Sequence, residues 1–226
     1  ARVRPVQLGG LRGQFISEVV REVNYFSGGH PAVIQSIINY LADQSFLVDL
    51  HSVFDNPEEL IEKTLTPIAE KYLDELDPAL RESYKVLSVF RCQEAGIILH
   101  MSTKGFLSSG VDPAALLGDL QKLHVLERPK LSGDPFSRRH VMQKIVSLVT
   151  RNAKDEHGAY ARQVNKEACC LYERWIREGL DEKDPRKHQK RLLSLVEWLF
   201  HSLLDDEIEF EYILTQFPGY FHLLCT

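Results

Sequence analysis

The stretch YFSGGHPAVIQSIINYLAD, residues 25–43, sets the reading of the whole chain. Gly28, Gly29, His30 and Pro31 stand directly before an apolar helical pattern. Pro31 suits a first helical position, because its missing N–H and fixed φ cost nothing there. Ile34, Ile37, Ile38 and Leu41 follow the i, i+3, i+4, i+7 spacing that predicts one buried helix face. Two chemistries fit the glycines. They turn the chain between two helices, or they let the backbone come close to a flat ligand on which a proline ring packs.

Working outward, helical patterns dominate and the expected class is mainly α. Gln14 to Tyr25 reads as a helix, preceded by an extended segment over residues 3–11. Asn56-Pro57, Asp77-Pro78 and Asp112-Pro113 each place a helix-starting proline behind a capping side chain. The third of these helices carries Leu116, Leu117, Leu120 and Leu123 as its inner stripe. Residues 94–101 form a short apolar helix and 102–111 a loop. Val125 to Arg128 and Phe136 to Arg139 read as two strands around a Ser132-Gly133-Asp134-Pro135 turn. Three helices followed by a hairpin is the order of a winged helix domain. Long amphipathic helices follow, one with Ala168, Leu171, Tyr172, Trp175 and Ile176 inward, ending at Gly179. The next is expected to bury Leu192, Leu195, Val196, Leu199 and Leu203. The final segment needs a surface for Phe217, Tyr220, Phe221 and Leu223. The expected domains are a helical bundle over 1–74, a winged helix over 75–150 and a solenoid-like helical segment over 151–226. Leu76-Asp77 and Thr150 to Asn152 are the expected hinges.

Composition narrows the function. With 44% apolar and 26% charged residues, the chain has the make-up of a folded globular protein. A net charge of -5 gives it no overall cationic field for nucleic acid or anionic lipid. No apolar run reaches the roughly 18–20 residues of a membrane span. Residues 1–7 lack the apolar core of a secretion signal, and the first residue is not Met, so a fragment or processed product located in the cytoplasm is expected. Cys92, Cys169, Cys170 and Cys225 contain no CxxC pair and read as free thiols. The nine histidines form no metal-ligand spacing, and no G-x-S-x-G element occurs, so no catalytic residue is assigned and the chain is not expected to be an enzyme by itself.

The segment SGGHPAVIQSIINYLAD, residues 27–43, resembles the helical lid of the STAND class of P-loop NTPases. In that class a G-x-P element opens a lid helix and its proline packs on adenine. The order of lid, winged helix and helices leading into a superhelical sensor is also similar. His140, within FSRRHVMQKIVSLV at 136–149, resembles the histidine that ends the class's winged helix and touches the β-phosphate of ADP. Arg139 stands where the class has Met and Val141 where it has Asp. The resemblance implies Gly29, His30, Pro31, Arg139 and His140 as residues binding ADP or ATP. No G-x-x-x-x-G-K-[ST] loop is present, so the phosphate loop and Mg²⁺ would belong to a nucleotide-binding core elsewhere in the same protein. The implied role is a switch: closed over ADP, released by ATP exchange, relaying the change to an effector or to self-association with other protein partners. Two alternatives stay open: a helical and winged-helix adaptor for protein or DNA without nucleotide, and an origin-recognition or transposition ATPase. The Asp112–Leu123 helix offers Lys122 against Asp112 and Asp119, which weighs against DNA.

Overall fold

A computed structural model describes residues 11–43, 50–122, 126–127, 137–139, 141–178, 185–205 and 207–225. The chain is mainly α-helical and divides into two compact units, Ala1–Glu75 and Leu76–Thr226.

In the first unit, α1 (Leu11–Ser27) and α2 (Pro31–Asp43) pack side by side, followed by α3 (Leu50–Asp55), α4 (Glu58–Leu60) and α5 (Thr66–Asp74). A π-helical turn, Ile61–Leu65, joins α4 to α5. Pro67 accounts for this wider turn: it has no N–H for a carbonyl four residues back, and its ring would clash there. The Thr66 hydroxyl donates to the Ile61 carbonyl at 3.2 Å within the turn. Val23, Phe26, Val33, Ile37, Leu60, Ile61, Leu65 and Ala69 make the core. The buried face of α2 is therefore rotated from the expected one. Val33 and Ile37 lie inside, Ile34 and Leu41 are half-buried, and Ile38 is 49% exposed. The extended segment expected at 3–11 lies outside the described residues, except that Leu11 begins α1.

In the second unit the order is α6 (Pro78–Ser88), β1 (Cys92–Gln93), α7 (Ala95–Thr103), α8 (Pro113–Lys122), β2 (Leu126–Glu127), β3 (Ser137–Arg139) and α9 (Val141–Asn152). Asp77 caps α6, accepting from Ala79 N at 3.0 Å, and Asp112 does the same for Ala114 N. The strands form one antiparallel sheet ordered β1-β3-β2, with Cys92 opposite Arg138 and Leu126 opposite Arg139. Thus β2 and β3 form the expected pair. The third strand, β1, is too short to leave a period-2 signal. Its Gln93 is buried and donates to the Leu87 carbonyl at 2.6 Å, where Gln143 of α9 also donates, at 2.7 Å. The Leu87 carbonyl, which also accepts from Phe90 N at 3.2 Å, thereby fastens both β1 and α9 to the end of α6.

Three helices complete this unit: α10 (Glu156–Arg177), α11 (Pro185–Leu203) and α12 (Phe210–Cys225). Asn165 lies against His201, and Trp175 against Lys190, so α10 and α11 are antiparallel. Lys166 pairs with Glu207 and Arg177 with Tyr220, so α12 runs along α10 and antiparallel to α11. Helix α10 buries Ala168, Leu171, Tyr172 and Ile176 as expected. Helix α11 does not follow expectation: Leu195 is inside, but Leu192, Val196 and Leu203 face outward. Thr150 to Asn152, the expected hinge, close α9, with the Thr150 hydroxyl donating to the Val146 carbonyl at 2.7 Å. The break falls at 153–155, where Asp155 caps α10.

Candidate functional site

The Gly28–Pro31 turn is built from its backbone. Gly28 and Gly29 have φ of +57° and +84°, a left-handed region that costs a side chain about 1 kcal/mol or more. Gly28 N donates to Asn24 O at 2.8 Å and closes α1. Ser27 receives both of the next amides: Gly29 N on its hydroxyl at 3.1 Å, and His30 N on its carbonyl at 3.0 Å. His30 then offers its carbonyl to Ile34 N at 2.9 Å, and Pro31 is the first residue of α2. A Cβ on Gly29 would meet nothing within 4 Å, and Pro31 is exposed. Helix reversal alone thus accounts for both glycines, and the same geometry leaves an open backbone and a proline ring facing outward.

Arg139 ends β3 opposite Leu126, and its side chain lies outside the described residues. His140, expected at the start of the following helix, also lies outside them; α9 begins at Val141. Gly29, His30 and Pro31 belong to the first unit and Arg139 to the second.

Elsewhere, the second unit contains charge networks that bind its helices. Arg91 donates from Nε and Nη2 to the two carboxylate oxygens of Glu197 at 3.1 and 2.9 Å, and lies 4.1 Å from the Phe200 ring centre. Lys190 donates to Glu94 at 2.7 Å and lies 4.1 Å over Trp175. These contacts hold α11 against the end of α6 and the start of α7. On the other side of α7, Arg174 Nη2 lies 2.8 Å from His100 Nδ1. An arginine can only donate, so that nitrogen is the acceptor and the ring proton sits on Nε2, 3.3 Å from Glu167. Desolvation, then the Arg174 charge, pushes the His100 pKa down.

Between α10 and α11, His201 is fully buried and its Nδ1 lies 2.8 Å from Asn165 Oδ1, while Asn165 Nδ2 donates to the His201 carbonyl at 2.9 Å. Tyr172 stacks on the His201 ring at 5.5 Å. Cys169, 3.9 Å from the Ser202 hydroxyl, has its thiol pushed up to about 12 by burial and is inert as a nucleophile. The arrangement fixes register between two helices and presents no reacting atom to solvent. Among the described residues no group of His, Cys, Asp and Glu could hold a metal ion, and no helix is long and apolar enough to cross a membrane.

The spacing rules missed these partners. Arg91 and Glu197 are 106 residues apart, and His100 and Arg174 are 74 apart. The one available signal was Glu197 itself, an acid inside the leucine-rich pattern of α11.

Protein-family models, curated proteins and solved structures contain no match to this chain.

Proposed function

We propose that the chain is the regulatory, non-catalytic part of a nucleotide-dependent switch of the STAND type. The single observation that supports it most is element order. A unit with five described helices and an open Gly28–Pro31 turn precedes a helix–strand–helix–helix–strand–strand order whose sheet runs β1-β3-β2. On this reading the second unit opens with a winged helix, and α10 to α12 lead toward a sensor.

In this role Gly29, His30 and Pro31 lie against the adenine of ADP, and Arg139 and His140 meet its phosphates, where guanidinium and a helix start are both favourable. The nucleotide-binding core of the same cytoplasmic protein supplies the phosphate loop and Mg²⁺. ADP holds lid and winged helix closed, and ATP exchange frees them for an effector or for self-association. The requirement is two states with different nucleotide contacts. Ile16 and Val20 of α1 and Ile38 of α2 are exposed at 49, 52 and 49%, which suits a lid that meets another surface. The test is His140→Ala in the full-length protein. ADP dissociation at least tenfold faster is expected; an unchanged rate removes the phosphate role.

The outward apolar side of α11 favours a second reading, a protein-binding adaptor without nucleotide. DNA recognition has less support. The exposed residues of α8 include Ala114, Ala115, Asp119 and Lys122, and Lys122 is paired with Asp119 at 3.0 Å.

A further inference from the structure

His100, on α7, lies between two residues of α10 that favour opposite charge states of its ring. Its side chain is 8% exposed. Arg174 donates from Nη2 to Nδ1 at 2.8 Å, which needs a lone pair there and so favours the neutral ring. Glu167 Oε2 lies 3.3 Å from Nε2, out of hydrogen-bond alignment, and a carboxylate favours the charged ring. Lys104, just past the end of α7, donates to Glu167 at 3.2 Å. Cys170, on α10, stands among the charges of Glu167, Lys104 and Arg174 and also meets Glu173. Helix α8, also packed on α7, carries Asp112, which caps its own helix, and Asp119 and Lys122, which pair with each other at 3.0 Å.

A second proton on this ring has only Nδ1 to occupy. Arg174 Nη2 would then face an N–H across 2.8 Å, donor against donor and cation against cation. Glu167, on the other nitrogen, becomes a charge-assisted partner. Arg174 has another place to go. It is exposed and lines a cleft of about 360 Å³ with Cys170, Glu173, Arg177 and Glu178. Glu173 is already held there, accepting from Arg177 at 2.8 Å and from the Tyr220 hydroxyl at 2.6 Å. Glu178 is exposed, stands four residues on from Arg174, and has no ion pair among the described residues.

We propose that His100 is a proton-operated catch: a second proton on its ring releases Arg174 to Glu178, while α7 stays docked on α10. Docking survives because two other contacts do not involve Arg174. Lys104 keeps its pair with Glu167, and the Tyr160 hydroxyl donates to the Phe106 carbonyl at 3.0 Å. Desolvation, then the Arg174 charge, holds the folded pKa of His100 below the ordinary value of 6.5. The catch is therefore closed at neutral pH, opens as pH falls through that lowered value, and closes again as pH rises. The inference goes beyond the switch proposal and does not depend on it, because its test contains no nucleotide.

The test is an NMR titration of the intact chain from about pH 7.5 to 4.5, following the His100 ring protons and the Arg174 side-chain Nε–H. Both signals should move with one midpoint, below that of an unperturbed histidine, while the backbone spectrum stays folded. Arg174→Gln should raise the His100 midpoint by about one unit, and Glu167→Gln should lower it. In Glu178→Gln the Arg174 signal should reach a different acidic endpoint. The proposal is overturned by an Arg174 signal that does not follow His100, or by a His100 midpoint that Arg174→Gln leaves in place. An acidic endpoint indifferent to Glu178→Gln overturns it too. So does loss of the folded spectrum before either signal moves, since the catch must open within the folded state.

Discussion

Arg91 and Glu197, from opposite ends of the second unit's sequence, form a two-pronged ion pair at 3.1 and 2.9 Å, with the Glu197 side chain only 6% exposed. The pair is the reason α11 buries a polar face. A carboxylate this deep needs a cation, and the helix must present Glu197 inward to reach one. Arg91→Ala strands the carboxylate and should cost about 3 kcal/mol in urea unfolding. Replacing both members by Met and Leu should cost clearly less than that single change. Equal losses would mean that the pair contributes packing alone.

His100 gives the second unit a dependence on pH. Its folded pKa lies below the unfolded value of about 6.5, because the site is desolvated and Arg174 faces Nδ1, although Glu167 on the other nitrogen opposes the shift. Folding therefore favours the neutral ring. Stability from this group is full above the unfolded value and is lost as pH falls through the folded one. Midpoints of thermal unfolding between about pH 7.5 and 5 should fall less in His100→Gln than in the parent chain. Parallel curves would contradict the assignment.

Two glycines separate backbone strain from crowding. Gly29→Ala meets open space, so its cost is the positive φ alone, about 1 kcal/mol. Gly158→Ala would drive a Cβ into the Ala153 carbonyl at the start of α10, and something must shift. Its unfolding midpoint should drop further than that of Gly29→Ala. The reverse order would contradict the local geometry.

The adjacent thiols should behave oppositely. Cys170 is exposed, its thiol pKa raised by partial burial and by Glu167 and Glu173, whereas Cys169 is buried with its pKa pushed up to about 12. A thiol reagent at neutral pH should label Cys170 in the native chain and Cys169 only in denaturant, as read by peptide mass. Native labelling of Cys169 would show that α11 does not cover it.

Local chemistry was legible in the sequence where the cause is local. Asp77-Pro78 and Asp112-Pro113 start helices because cap and proline act within one turn. Gly28 and Gly29 mark a reversal because the turn needs positive φ. Leu126–Glu127 and Ser137–Arg139 pair near the expected strands. Periodicity misled for α11. It registers which residues are apolar, not which side a distant Arg91 draws inward. The same limit applies to Ile38, whose exposure reflects where α1 packs on α2. Of the candidate site, the Gly28–Pro31 turn could be read from its residues. Arg139 is placed only by its pairing with Leu126 across β2 and β3, and His140 lies outside the described residues.

The switch proposed for this chain requires that the full-length protein bind ADP through Pro31 and His140. The most direct measurement is the thermal unfolding midpoint of the full-length protein with and without saturating ADP, repeated for Pro31→Gly with His140→Ala. A ligand of the native state at about a hundred times its Kd adds roughly 2.7 kcal/mol. The expected result is a rise of several degrees that shrinks markedly in the double variant. A midpoint unmoved by ADP, or a rise indifferent to both substitutions, would contradict the switch and leave a helical adaptor.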